Sequence, residues 1–189
     1  MTDIVGVLLA AGAASRFGAH KLLQALPDGA PVGVAAARNL VAALPDTIAV
    51  VRDGDREMAS AFAALGMKVV GNPRAGEGMG TSLAAGIRAS EDADGWLIAL
   101  GDMPWIRPAT MAALASHLRS GASMVAPVCR GRRGHPVGFS AAWGPALAAL
   151  SGDQGARDLL GQYADQLRLV DTDDDGVLAD IDHPSDMRR

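Results

Sequence analysis

Hydrophobic positions along the chain fall into two alternating patterns. Short Val/Ile/Leu-rich runs recur at residues 4–9, 47–51, 67–70, 96–100 and 123–127, each of strand length and bounded by polar or glycine-containing segments. Weaker runs of the same kind lie near Val137, Leu167 and Val177. Between them, small and apolar residues return at helical spacing over residues 34–44, 56–65, 81–89, 108–119, 141–150 and 155–163. Continuous apolar runs suit strands buried on both faces, which is the condition of a largely parallel sheet with helices on either side. The expected class is α/β. With no internal repeat, long linker or break in composition, residues 1–189 read as a single domain.

A chain of 189 residues can bury about 70% of its unfolded surface, so no disulfide or metal staple is needed for folding. The single cysteine, Cys129, cannot form an internal disulfide, and the opening residues lack the charged, apolar and small-residue order of a secretory signal. A reducing cytoplasm is the expected compartment. The longest glycine-containing apolar run, residues 4–14, falls far short of the ~20 residues of a membrane helix, so no membrane association is expected. Seventeen basic residues against 21 acidic ones give a net charge of −4. Such a chain carries no general field for nucleic acid, and any phosphate binding has to be local.

The first strand runs directly into Gly12-Ala13-Ala14-Ser15-Arg16-Phe17-Gly18-Ala19-His20-Lys21. Small side chains let backbone N–H groups approach phosphate oxygens, while Arg16 offers a bidentate fork and Lys21 a point charge. This is no Walker loop, because five residues separate Gly12 from Gly18 and no Lys-Ser or Lys-Thr pair follows. The G-x-G-x-x-G spacing of a dinucleotide site is also absent. By composition alone, a glycine turn with two solvated cations is an equal alternative. Asp102 follows the apolar run 96–100, which puts a carboxylate at the carboxyl end of a central strand, where ligands gather in open α/β sheets. Magnesium is commonly held by one or two carboxylates together with waters and substrate phosphates, so this acid suffices as an anchor. A capping aspartate ahead of the helix at Pro108 is the other reading.

Six segments, in order, carry a resemblance. They are Leu8-Leu9-Ala10-Ala11-Gly12 with Ser15-Arg16-Phe17-Gly18 and Lys21-Leu22-Leu23; Asn72-Pro73 with Gly76-Glu77-Gly78-Met79-Gly80-Thr81-Ser82-Leu83; and Leu100-Gly101-Asp102-Met103-Pro104. Further on come Arg133-Gly134-His135-Pro136-Val137, Gly152-Asp153-Gln154-Gly155-Ala156-Arg157 and Asp180-Ile181-Asp182-His183-Pro184. The series resembles the MobA-like NTP transferases, particularly the molybdenum cofactor cytidylyltransferases. That resemblance implies a three-layer, Rossmann-like fold with a nucleotide-binding N-terminal half and an acceptor-binding C-terminal half. It implies transfer of CMP from CTP to the phosphate of molybdopterin, with release of pyrophosphate. Arg16, Lys21 and Asp102 would be catalytic, and Asp102 would hold Mg2+. Ala10, Ala11, Gly12, Ser15, Arg16, Lys21, Gly80 and Ser82 would bind the nucleotide, and His135, Asp153, Arg157, Asp180 and Asp182 the acceptor. A molybdoenzyme or chaperone would receive the product.

Guanylyl-transferring relatives typically have glycine where this chain has Ala11; a methyl group there narrows the base slot and favours CTP over GTP. Alternatives within the same resemblance are a guanylyltransferase for the same acceptor, a cytidylyltransferase for a sugar or methylerythritol phosphate, and a non-catalytic cofactor-handling protein.

The acidic run Asp171-Thr172-Asp173-Asp174-Asp175-Gly176 matches the first half of an EF-hand loop, with Asp182 at the twelfth position. Its flanks read as strands, whereas an EF-hand requires helices, so a solvated turn between strands is expected. Beyond it, the alternation of Asp180 and Asp182 puts both carboxylates on one strand face. Arg130, Arg132 and Arg133 read either as a solvated basic turn or as an electrostatic lure for an anionic acceptor. Cys129 has no acid or histidine at a telling spacing and reads as structural.

Overall fold

The computed structural model describes residues 3–12, 20–153 and 155–188. Among these residues eight strands form one sheet: β1 (Ile4–Leu9), β2 (Thr47–Arg52), β3 (Lys68–Asn72), β4 (Gly95–Leu100), β5 (Met124–Cys129), β6 (Arg132–Arg133), β7 (Val137–Ser140) and β8 (Leu167–Asp171). Their order is β3-β2-β1-β4-β7-β5-β6, with β8 pairing the other side of β5. Strands β1 to β4 are mutually parallel and β8 is parallel to β5, while β7 runs antiparallel between β4 and β5. The class is α/β with a mostly parallel, mixed sheet.

Among the described residues six helices cover it: α1 (Val32–Ala43), α2 (Arg56–Ala64), α3 (Met79–Arg88), α4 (Pro108–Arg119), α5 (Gly144–Ala148) and α6 (Arg157–Gln162). Strand alternation splits the apolar residues into two cores. On one face Ile4, Leu8, Ala49, Leu97 and Val125 pack with Leu40 of α1, Phe62 of α2 and Leu114 of α4. On the other, Val7, Val50, Trp96, Ile98 and Met124 pack with Leu83 of α3, Leu147 of α5 and Leu160 of α6. Burial on both faces explains why the strands read as unbroken apolar runs.

Two expectations need correction. The strand near Val177 is a 3-10 turn, Asp175–Leu178, whose start is set by Asp174 accepting from the Gly176 amide. Residues 179–182 extend without a strand partner, although Ala179 and Ile181 are buried and Asp180 and Asp182 exposed, so the alternation survives. The helices expected over 141–150 and 155–163 contract to α5 and α6, the first preceded by a 3-10 turn over Ala141–Trp143.

After β1 the chain builds outward through β2 to β3 and then returns to place β4 on the other side of β1. Strand order therefore reverses at β1, and a crevice opens between the carboxyl ends of β1 and β4, the place where open α/β sheets bind ligands.

Candidate active site

Two segments leave that crevice edge side by side. Gly12 follows β1 and Asp102 follows β4, and the strands are in register from Ile4 with Gly95 to Leu9 with Leu100. A cleft of about 980 Å³ opens there, with Ala10, Ala11, Gly12, Lys21, Ser82, Asp102 and Asp153 on its walls. Ala10 and Ala11 are buried, so only their small surfaces border it.

Lys21 opens a 3-10 turn, Lys21–Leu23, that is anchored by the buried side chain of Leu22. From this anchor its Nζ donates to Asp102 Oδ2 at 2.8 Å and lies 3.7 Å from Asp182 Oδ1. The Lys21 and Asp102 side chains are 17% and 25% exposed, so the pair sits in a partly dry place where charges interact strongly. Asp182 is held to this point by its chain: the Ile181 amide donates to the Asp102 carbonyl at 3.0 Å, and Asp186 accepts from the Asp182 and His183 amides.

The second sequence motif explains itself in the packing. Gly78 has φ +121, and a Cβ there would lie 2.3 Å from the Gly152 carbonyl carbon; one on Gly80 would lie 2.8 Å from the Ser151 oxygen. Only glycines let the loop over residues 151–153 lie against the start of α3, where the Gly80 amide donates to the Gly152 carbonyl at 2.8 Å. This contact carries Asp153 into the cleft beside Gly78 and Ser82. Asn72 is buried at the end of β3 and donates to both Thr81 and Ser82 hydroxyls at 3.0 Å, while its side-chain Oδ1 accepts from the Arg74 amide. The Asn72-Pro73 motif thus braces the helix start.

The remaining acceptor-half residues separate. His135 is half-buried, and its Nδ1 is a buried side-chain atom without a hydrogen-bond partner among the described residues. Burial pushes its pKa below the usual histidine value; the charges of Asp102 and Asp180 oppose that shift and Arg133 reinforces it. Arg157 is the exposed first residue of α6 and is absent from the cleft wall. Ser15 and Arg16 lie outside the described residues.

Sequence reasoning missed the far wall, formed by His20, Arg52, Asp53, Asp55 and Met79. Asp55 caps α2 through the Met58 amide, and its other oxygen meets His20 Nε2 at 2.7 Å. The Gly54-Asp55 pair ahead of α2 was a legible capping signal; its link to His20 was not.

Asp102 and Asp182 are hard oxygen donors that already converge on the positive Nζ of Lys21. Their chemistry fits a magnesium ion, which takes one or two carboxylates and completes its shell with water and substrate phosphate. No group of three or more candidate ligands occurs among the described residues, so a substrate would have to supply the rest. No described helix is long and apolar enough to cross a membrane.

The chain is similar to several known proteins over nearly its whole length. It is 32% identical to nicotine blue oxidoreductase of Paenarthrobacter nicotinovorans, covering 98% of this chain and 95% of that protein. Rv0371c from Mycobacterium tuberculosis H37Rv superposes with a TM-score of 0.82 at 28% identity, over 98% of this chain and 96% of that one. The same protein has been solved in complex with manganese, with a TM-score of 0.73 at 25% identity over 90% and 89% of the two chains. A nucleotidyl transferase from Methanothermobacter thermautotroptrophicus also reaches 0.82 at 28% identity, over 98% and 94%. The family model described as the MobA-like NTP transferase domain matches residues 6–167, and with the reversal of strand order at β1 and the cleft above it, this chain belongs to that nucleotidyltransferase family.

Proposed function

We propose that this nucleotidyltransferase moves CMP from CTP to the phosphate of a molybdopterin-type acceptor. An acceptor phosphate oxygen attacks the α-phosphorus, the bond to the β-phosphate bridging oxygen breaks, and pyrophosphate leaves. No covalent enzyme intermediate is needed. The observation that carries the reading is the convergence of Asp102 and Asp182 on Lys21, where Lys21 and Asp102 line a 980 Å³ cleft above the β1–β4 crevice.

Phosphoryl-transfer chemistry of this kind depends on positioning and on neutralising charge spread over phosphate oxygens. Lys21 offers a positive charge for the triphosphate, and Asp102, with Asp182 beside it, would hold the magnesium ion. That ion would supply further neutralisation of the phosphate oxygens. The manganese complex of Rv0371c supports a divalent-ion site in a relative of the same fold. Ala11, on the cleft wall, favours a pyrimidine base because its methyl group takes room that a purine would use. The six ordered motifs favour molybdopterin over a sugar phosphate.

The test is pyrophosphate release with molybdopterin and each of the four nucleoside triphosphates, with and without magnesium. Release with CTP and magnesium is expected. Release with GTP instead would move the reading to a guanylyltransferase, and release only with a sugar or methylerythritol phosphate would change the acceptor. A second reading follows from the 32%-identical relative named an oxidoreductase; it predicts no pyrophosphate with any triphosphate and consumption of a reductant in the same preparation.

A further inference from the structure

The acidic run that looks like half of a calcium loop does something else. Of its carboxylates, Asp173 is 92% exposed, whereas Asp174 is 3% exposed. The buried carboxylate is fully engaged. Its Oδ2 accepts from the Arg107 amide at 2.8 Å and from the Thr110 hydroxyl at 2.7 Å, and its Oδ1 accepts from the Gly176 amide at 3.1 Å and lies 3.5 Å from Arg107 Nε. Arg107 is the N-cap of α4 and makes no side-chain cap of its own. Asp174 therefore brings, from 67 residues further on, the negative charge that a helix start favours.

What this contact holds is the strap over residues 172–182. Past Asp174, Gly176 passes so close to Trp105 that a Cβ would lie 2.3 Å from its carbonyl oxygen, and the Val177 carbonyl accepts from the His135 amide at 2.9 Å. A Cβ on Gly134 would lie 2.2 Å from that same Val177 oxygen. The strap then reaches Ile181, bonded to the Asp102 carbonyl, and sets Asp182 beside Lys21. Val177 and Ile181 are both buried, so the strap has anchors of its own. The buried carboxylate fixes where along the edge of α4 it begins.

We propose that Asp174 is a positioning residue, clamping the strap to the start of α4 so that Asp182 is presented to Lys21 and Asp102. The consequence for transfer rests on the function proposed above; the clamp itself does not. Asp174→Asn keeps the shape and loses the charge, Thr110→Val removes one donor without touching the strap, and Asp174→Glu retains the charge on a longer stem.

Two measurements on the full chain test it. Amide hydrogen exchange should show faster exchange at Gly176, Val177, Ile181 and His135 in Asp174→Asn, with β1 and α3 unchanged and a smaller effect in Thr110→Val. In steady-state transfer, Asp174→Asn should lower kcat/KM for the acceptor at least tenfold, with partial recovery in Asp174→Glu. Because Asp174 acts through Asp182, the Asp174→Asn/Asp182→Ala double variant should lose no more than Asp182→Ala alone. Exchange unchanged in Asp174→Asn overturns the clamp, and additive losses overturn the route through Asp182. If the wild type releases no pyrophosphate at all, the functional reading fails, and the exchange data alone still decide whether Asp174 clamps the strap.

Discussion

Lys21 and Asp102, 81 residues apart, meet at 2.8 Å where β1 and β4 end. The lysine ammonium stands where a divalent cation would be expected against Asp102, with Asp182 on its other side at 3.7 Å. If Asp102 holds a metal as proposed above, a cation of the chain and a cation from solution would compete for one carboxylate. On that reading a triphosphate would draw Lys21 toward itself and leave Asp102 free, so nucleotide and metal should bind cooperatively.

Lys21→Ala should accordingly tighten Mn2+ binding to the free protein while weakening CTP binding roughly tenfold or more, in line with the ~1.5–3 kcal/mol of hydrogen bonds to charged groups. Electron paramagnetic resonance titration of Mn2+ and calorimetric titration of CTP check both halves. Weaker Mn2+ binding in the variant shows that lysine and metal do not compete.

Asp102→Asn keeps the size of the side chain and its position after β4 but removes the charge. Turnover with magnesium should fall by most of its value, with circular dichroism unchanged. Full turnover in this variant would falsify the assignment of the metal to Asp102.

Gly80→Ala places a Cβ 2.8 Å from the Ser151 carbonyl oxygen in a contact between backbones that cannot swing aside. Overpacking of this kind costs about 1–3 kcal/mol, to be read as a lower Tm in calorimetry, together with loss of protection at the Gly80 amide. An unchanged Tm means that the loop over 151–153 is not held by this approach.

His135 is half-buried, and desolvation pushes its pKa below the ordinary histidine value, Asp102 and Asp180 opposing the shift and Arg133 adding to it. The unfolded chain then binds the proton more readily than the folded one. Stability from this group is complete above the ordinary value near 6.5 and declines as pH falls below it, by at most about 1.4 kcal/mol per pH unit. Chemical denaturation between pH 7.5 and 5.5 should show a steeper loss in the wild type than in His135→Gln. Parallel curves would assign the acid sensitivity to other groups.

Ala11→Gly should narrow the preference for CTP over GTP, measured as kcat/KM for the two nucleotides in both proteins. A single methyl group discriminates by only about 1–3 kcal/mol, so a preference is expected, with no absolute block. A wild type that prefers GTP overturns the cytidylyl reading and leaves the nucleotidyltransferase family unaffected.

Most elements were legible because their signals are local. The apolar runs of β1, β2, β4 and β5 reflect burial on both faces of a sheet, and both cores use them in alternation. The place of Asp102 at the end of β4 was visible from the apolar run ahead of it. Val177 misled because an apolar residue beside small ones reads as a strand, whereas its burial comes from lying over Gly134 and its conformation from the Asp174 turn. The antiparallel insertion of β7 between β4 and β5, the pairing of Lys21 with Asp102, and the burial of Asp174 alone among its acidic neighbours were decided by tertiary packing. Periodicity reports which face of a segment meets the core. It carries no information about which distant charge arrives opposite, because that partner is chosen only when sheet order and helix docking bring residues 81 and 67 positions apart into contact.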